Sequence, residues 1–223
     1  RADVLLIDDF RTPLTFTNSS QTPAGYVIYD DSEDLENVEV RSKKMLDGTG
    51  GTTTATWYDV RTSGSMLGNR RDVSLKISST SENFSNVFIH NGMLDGMPEG
   101  MLDVLMDSGA ILDELLLSYD TSSSPVNIAN KDFLNLEVRN ADSNSQNKLK
   151  VDLSLKSGVQ TVTRTFDLNA NGSLSFSLAD FKSLLTMSSI DRVDLRFFAT
   201  GPATDFQILH TGFTTAALRS EER

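Results

Sequence analysis

The sequence predicts an all-β protein, an antiparallel two-sheet β-sandwich that resembles a jelly roll, and three observations lead to this prediction. Apolar and polar residues alternate with a period of two in many short runs. Polar turn sequences separate these runs. Each run has one apolar and one polar face, which is typical of antiparallel sheets that cover a core on one side only.

Five runs carry the alternation most clearly, and in chain order they are residues 72–78, 134–139, 148–156, 174–178 and 192–197. In residues 148–156 the apolar side chains stand at every second position between lysine, aspartate and serine. A period of two over nine residues predicts a half-buried strand. The polar residues 140–147 fit a hairpin loop between the second run and the third.

The stretch from Met93 to Tyr119 is ambiguous, because its methionines and leucines partly follow helical spacing. Gly96, Pro98 and Gly100 interrupt that spacing, so we expect a loop or short helix here, followed by a strand over residues 111–119. A second weak helical segment covers residues 179–185.

The amino-acid composition limits which partners, metal sites and membrane segments can be expected. The 223 residues carry a formal net charge of −11 at pH 7, which argues against nucleic acid and against anionic membrane surfaces. Cysteine is absent, so disulfides and thiolate metal sites are not expected. No apolar run reaches the roughly 20 residues of a membrane span. No linker divides the chain, so we expect one domain over residues 1–223, with an ordered core over 4–215 and a polar tail over 216–223.

Several segments together resemble known families. Residues 5–10, with the sequence Leu-Leu-Ile-Asp-Asp-Phe, resemble the opening strand of bacterial jelly-roll carbohydrate-binding modules. Residues 31–41, 115–120 and 176–206 resemble, in the same order, motifs of exported PEP-CTERM-type proteins. The Pro-Glu-Pro sorting tail of that family is absent, so anchoring by that route is not expected. The resemblance implies export, a jelly-roll sandwich, and a non-enzymatic role in extracellular matrix or glycan binding.

Two segments are candidate calcium sites. Asp167, Asn169 and Asn171 match the first half of a calcium loop, in which oxygen ligands alternate before a glycine. A plain hairpin turn at Asn171-Gly172 explains the same residues. The resemblance implies a second, structural calcium site at Asp8, Asp9 and Asp205, where first and last strands meet. The alternative is that these three are surface carboxylates near strand ends.

Aromatic side chains that could stack on sugar rings are the other candidates. Trp57, Tyr58 and Tyr119 are the proposed ligand-binding residues. Alternation places Trp57 and Tyr58 on opposite faces of one strand, so one of the two is expected in the core. A single tryptophan in a sandwich is also compatible with a purely structural role.

The sequence therefore predicts a secreted, non-catalytic protein that binds an extracellular polysaccharide or belongs to the extracellular matrix. The alternative is a structural subunit that assembles with copies of itself through strand exchange, with residues 4–7 and 213–218 as candidate arms. An enzyme is the least favoured class, because neither a nucleophile elbow nor a zinc-protease motif is present.

Overall fold

The chain forms fourteen β-strands in the part that the structure, a computed structural model, describes. The described residues are 3–11, 26–30, 38–42, 51–60, 66–79, 85–94, 97–106, 108–142, 148–168 and 170–217. The strands are β1 (Val4–Asp8), β2 (Tyr26–Asp30), β3 (Val38–Ser42), β4 (Gly51–Val60), β5 (Arg70–Ser79), β6 (Ser85–Leu94), β7 (Met97–Leu105), β8 (Ala110–Asp120), β9 (Phe133–Arg139), β10 (Leu149–Ser157), β11 (Gln160–Asp167), β12 (Gly172–Ser177), β13 (Arg192–Ala199) and β14 (Phe206–Thr214). A short helix, α1 (Ala179–Lys182), follows β12 where the weak helical segment was expected.

The strands belong to two antiparallel sheets, which confirms the predicted all-β sandwich. One sheet has eight strands in the order β12-β9-β14-β7-β6-β3-β2, with β1 beside β14. The other has six strands in the order β11-β10-β13-β8-β5-β4. None of the helices in the described ranges has the length and apolar character that crossing a bilayer requires.

The last strand, β14, holds the eight-stranded sheet together. It pairs along its length with β9 on one side. On its other side, Phe206–Ile208 pairs with β7 and Thr211–Thr214 pairs with β1. The candidate arm over residues 4–7 therefore lies in β1 and the other begins in β14, and these two strands pair with each other in the chain's own sheet.

The core lies between the sheets and follows the predicted alternation. Leu149, Val151, Leu153 and Leu155 of β10 are buried, and the intervening side chains are more exposed. Leu153 lies opposite the buried Leu195 of the neighbouring strand β13. Burial of each such side chain stabilises the fold by about 1.5–3 kcal/mol.

The predicted loop or helix before residue 111 is wrong, because this stretch contains the end of β6 and all of β7. Leu102 and Val104 of β7 are buried in the core, and pairing with β6 and β14 overrides the local helical spacing. Gly100 does not interrupt the strand; it lies within β7, where the turn after β1 approaches its backbone closely. A Cβ atom on Gly100 would lie 2.3 Å from both the Phe10 carbonyl carbon and the Arg11 nitrogen.

Two predicted hairpins are also wrong, because both connections cross from one sheet to the other. β9 belongs to the eight-stranded sheet and β10 to the six-stranded sheet. β11 and β12 are divided in the same way, so Asn171-Gly172 does not form a hairpin turn. The Phe166 and Phe176 rings stack at 4.7 Å where β11 and β12 face each other, which closes this side of the sandwich.

Candidate functional site

The outward face of the eight-stranded sheet carries buried polar side chains. Asn135 and Glu137 of β9 alternate with the core residues Leu134 and Leu136, and are 2% and 3% exposed. Asp103 of β7 stands between two core residues in the same way and is 7% exposed. These three residues and the side chains that hydrogen-bond to them are called the polar face below. Polar residues on the outward side of a sheet are usually solvated, so the burial of these three side chains is unusual.

Serines of the edge strand β12 hold the two β9 residues. Ser175 Oγ donates to Asn135 Oδ1, and Asn135 Nδ2 donates to Thr214 Oγ1 on the opposite neighbour β14. Ser173 Oγ donates to Glu137 Oε2 at 2.5 Å. These bonds follow from the antiparallel register, in which Ser173 lies opposite Glu137 and Ser175 opposite Asn135.

A second group of hydrogen bonds extends the polar face toward β7. Gln207 Nε2 of β14 donates to Asp103 Oδ2 at 3.0 Å. Asn140 Nδ2 donates to Gln207 Oε1 at 2.6 Å, from a backbone position with φ of 49° just after β9. Arg139 Nε donates to Glu137 Oε1 at 2.9 Å and brings a positive charge beside the carboxylate.

The polar face is thus an ordered array of amides, hydroxyls and opposite charges. The buried members hold the more exposed ones, Arg139 and Gln207, through hydrogen bonds, so a ligand would meet side chains that are already oriented. Sequence reasoning missed this surface, because alternation marks Asn135 and Glu137 only as non-core residues. The two serines and one threonine that bind them gave no distinguishing signal.

Asp8, a predicted calcium ligand, lies in a buried cluster between the sheets. Its Oδ2 accepts hydrogen bonds from Arg71 Nη1 at 2.5 Å and from Tyr119 Oη at 2.7 Å. Its Oδ1 accepts one from the Phe10 backbone nitrogen at 2.8 Å. The alternation in the sequence offers a signal for Arg71 that our predictions did not use, since Arg71 continues the core-facing positions of Val73 and Ile77.

Tyr119 has no exposed surface, so no sugar can stack on its ring. Burial in the core, together with the Asp8 carboxylate, raises the pKa of the Tyr119 phenol well above its ordinary value. The structure therefore assigns Tyr119 to the interior. Trp57 and Tyr58 lie on β4 opposite Val73 and Asp72, and their role in stacking stays a prediction.

The other acidic candidates each bind a backbone group. Asp9 Oδ1 accepts a hydrogen bond from the Arg11 nitrogen at 3.0 Å, and Asp205 Oδ1 accepts one from the Met106 nitrogen at 2.7 Å. Within the described ranges, no three histidine, aspartate or glutamate side chains are grouped to hold a metal ion. Calcium at Asp8, Asp9 and Asp205 stays a prediction.

The described residues of the second predicted calcium site, Asp167 and Asn171, lie at the connection between β11 and β12 and bind other parts of the chain. Asp167 forms an ion pair with Lys150 on the neighbouring strand β10. The Asn171 side chain binds Ala141, accepting from its nitrogen at 3.0 Å and donating to its carbonyl oxygen at 3.2 Å. Asn169 lies outside the described residues. Asn171 thus ties the crossing to the chain just beyond β9.

Comparison with known proteins gave matches among solved structures alone. No protein-family model matches the chain and no curated protein matches it, so membership of the PEP-CTERM-type family stays a prediction. A non-crystalline cellulose specific carbohydrate-binding module, CBM28, matches 57% of this chain and 82% of its own, with 10% identity and a TM-score of 0.40. PfGH50B matches 60% of this chain and 22% of its own, with 11% identity and a TM-score of 0.38.

Proposed function

We propose that the protein is a secreted, non-catalytic glycan-binding module and that the polar face binds an extracellular polysaccharide. One observation carries the proposal, namely that Asn135, Glu137 and Asp103 are buried on an outward sheet face and fixed by neighbouring side chains. Sugars present hydroxyl groups that both donate and accept hydrogen bonds, and amide, hydroxyl and carboxylate side chains supply both kinds of partner.

The charge of the polar face favours a neutral glycan. Glu137 and Asp103 contribute two carboxylates and Arg139 one guanidinium, on a chain whose net charge is −11. A polyanionic ligand would meet repulsion from both carboxylates. A neutral polysaccharide avoids this repulsion and can hydrogen-bond to the more exposed Arg139, Asn140 and Gln207 side chains.

The arrangement of the carboxylates favours binding over catalysis. Glu137 accepts hydrogen bonds on both oxygens, from Ser173 and from Arg139. Asp103 accepts one from Gln207. Carboxylates fixed as acceptors orient their neighbours, whereas glycoside hydrolysis needs one carboxylic acid that donates its proton to the leaving group.

The proposal is tested by electrophoresis in gels that contain soluble glucans, mannans or xylans, followed by calorimetry with the glycan that retards the protein. We expect Gln207→Ala and Arg139→Gln each to weaken binding about tenfold, because each removes a side chain that hydrogen-bonds to the glycan. Lys156→Gln, on the outward face of the six-stranded sheet, is the matched control and should bind like the wild type.

Four results would each overturn the proposal or part of it. Absence of retardation by every glycan would remove glycan binding. Equal binding by the wild type and both polar-face variants would place the site elsewhere. Cleavage of the bound glycan into shorter saccharides during long incubation, detected by chromatography, would contradict a non-catalytic role. Recovery of the full-length protein from cells but not from the medium would contradict secretion.

A further inference from the structure

A separate groove of about 530 Å³ lies where the start of β1 meets the loop before β9. Asp3, Val4 and Leu5 form one wall, and Asn127, Asn130 and Lys131 form the other. Its volume falls in the range of small-ligand sites.

Lys131 is the unusual member of this groove, because it is a lysine with only 4% of its surface exposed. Its Nζ donates to Asp3 Oδ2 at 2.5 Å and to the Asp3 carbonyl oxygen at 3.2 Å. An ammonium group has three N–H donors, and both of its acceptors among the described residues belong to Asp3. A buried charge needs a partner, so whatever occupies the position of the Asp3 carboxylate is held strongly.

The two members of this ion pair differ in how firmly they are held. The loop that carries Lys131 is fixed by the buried Ile128, whose nitrogen donates to the Met187 carbonyl at 2.8 Å. The Asp132 nitrogen donates to the Thr214 carbonyl at 2.8 Å and secures the loop on the other side. The Asp3 backbone is bound to Thr215, since its nitrogen donates to Thr215 Oγ1 at 3.1 Å and its carbonyl oxygen accepts from the Thr215 nitrogen at 3.3 Å. The Asp3 side chain, in contrast, is 67% exposed. Lys131 is therefore a fixed receptor, and Asp3 is a partner that another carboxylate can replace.

The walls of the groove suit a sugar. Asn127 uses its Oδ1 to accept from the Ala129 nitrogen at 3.0 Å, so its Nδ2 remains available as a donor. Asn130 is exposed and adds a second amide. Val4 is 51% exposed and provides an apolar surface for the C–H face of a ring.

We propose that this groove binds a saccharide that carries a carboxylate, in which the carboxylate replaces that of Asp3 on Lys131 and the ring hydroxyls bind the two asparagine amides. The inference goes beyond the proposed function, which concerns a neutral glycan on the polar face. It uses different residues, so either proposal can fail alone.

The test is calorimetric titration with trigalacturonate, and with neutral galactotriose and acetate as the other two probes. We expect trigalacturonate to bind and Lys131→Gln to weaken that binding about tenfold, as expected for loss of a charge-assisted hydrogen bond. Asp3→Asn should strengthen binding about twofold to fivefold, because the internal competitor loses its charge. Lys182→Gln, which breaks the more exposed Lys182–Asp132 ion pair nearby, should change nothing.

The sign of the Asp3→Asn effect separates a binding site from a structural ion pair. Unchanged or weaker trigalacturonate binding by Asp3→Asn would overturn the proposal, even if Lys131→Gln did not fold. No binding to the wild type, or equal binding by Lys131→Gln, would overturn it as well. If acetate or galactotriose binds as tightly as trigalacturonate, the carboxylate alone or the sugar alone is sufficient for binding. Either result would overturn recognition of an acidic saccharide. Gln207→Ala should bind trigalacturonate like the wild type.

Discussion

Arg71 Nη1 lies 2.5 Å from Asp8 Oδ2, and this ion pair joins the two sheets at a point where neither side chain has exposed surface. Asp8 ends β1 of the eight-stranded sheet, whereas Arg71 and Tyr119 belong to the six-stranded sheet. Transferring two charges into the core costs free energy of desolvation, which mutual attraction and the additional hydrogen bonds offset. The cluster therefore fixes how β1 sits against the opposite sheet.

We predict that Asp8→Ala lowers the free energy of unfolding by about 3–5 kcal/mol, because it leaves the Arg71 guanidinium buried without a counter-charge. Guanidinium chloride denaturation followed by circular dichroism measures the change. Asp167→Ala, which removes the partner of Lys150 from a more exposed ion pair, is the control and should cost at most about 1 kcal/mol. Equal losses in both variants would contradict a structural role for the buried pair.

Replacing both partners is the complementary measurement. The double variant Asp8→Leu/Arg71→Met removes the charges together and leaves apolar side chains of comparable volume. We expect it to be clearly more stable than Asp8→Ala, since no uncompensated charge remains. A double variant as unstable as the single one would mean that the loss came from altered packing and not from charge.

Tyr119 should make the fold sensitive to alkaline pH. Burial and the Asp8 carboxylate raise the pKa of its phenol above the ordinary value of 10.0, so the folded state keeps the proton to higher pH than the unfolded state. This contribution to stability is complete below pH 10.0 and is lost as the pH rises through the folded-state pKa. Urea denaturation at a series of pH values from neutral to alkaline measures the decline.

Tyr119→Phe is the control for this prediction, because other tyrosines and lysines also titrate in the alkaline range. The variant loses the hydrogen bond to Asp8 and should be less stable at neutral pH by about 1–3 kcal/mol. Its stability should then decline less steeply above pH 10.0 than that of the wild type. Parallel declines in the two proteins would show that Tyr119 does not contribute.

Alternation was sufficient to predict the strands that sit fully on the core. β10 and β13 follow it residue by residue, since each pairs on both sides and covers the interior with one face. It could not predict which sheet a strand joins. Neighbouring runs with polar residues between them suggest a hairpin, yet β9 and β10 lie in different sheets, because the choice depends on contacts distant in sequence.

The candidate site was harder to predict for the same reason. A period of two shows that Asn135 and Glu137 avoid the core, but the serines of β12 that bind them lie more than 30 residues later in the chain. Arg71 is the opposite case. Its place among core-facing positions was visible in the sequence, whereas its partners Asp8 and Tyr119 become neighbours only when the sheets pack together.

Gly100 should be intolerant of any side chain. An added Cβ would lie 2.3–2.4 Å from backbone atoms of residues 9–11, which cannot move without displacing the turn after β1. We predict that Gly100→Ala lowers the free energy of unfolding by about 2 kcal/mol or more. Gly201→Ala is the matched control, because its nearest neighbour, at 2.9 Å, is the flexible Lys148 side chain. A similar stability for the two variants would contradict the close approach of β7 to this turn.

The final prediction concerns β11, the edge strand of the six-stranded sheet, and it bears on self-assembly. An edge strand leaves backbone groups open to pairing with another chain, and an inward-pointing charge is one way to prevent that. Arg164 fits this role, since it lies opposite the core residue Leu153 and its Nε donates to Asp180 at 3.2 Å.

We predict that Arg164→Val increases self-association, measured as a concentration-dependent rise in mass by size-exclusion chromatography with light scattering. Thr163→Val adds an apolar side chain to the outward face of the same strand and controls for hydrophobicity. If the two variants associate equally, Arg164 does not protect this edge, and if neither associates more than the wild type, β11 is not an assembly edge.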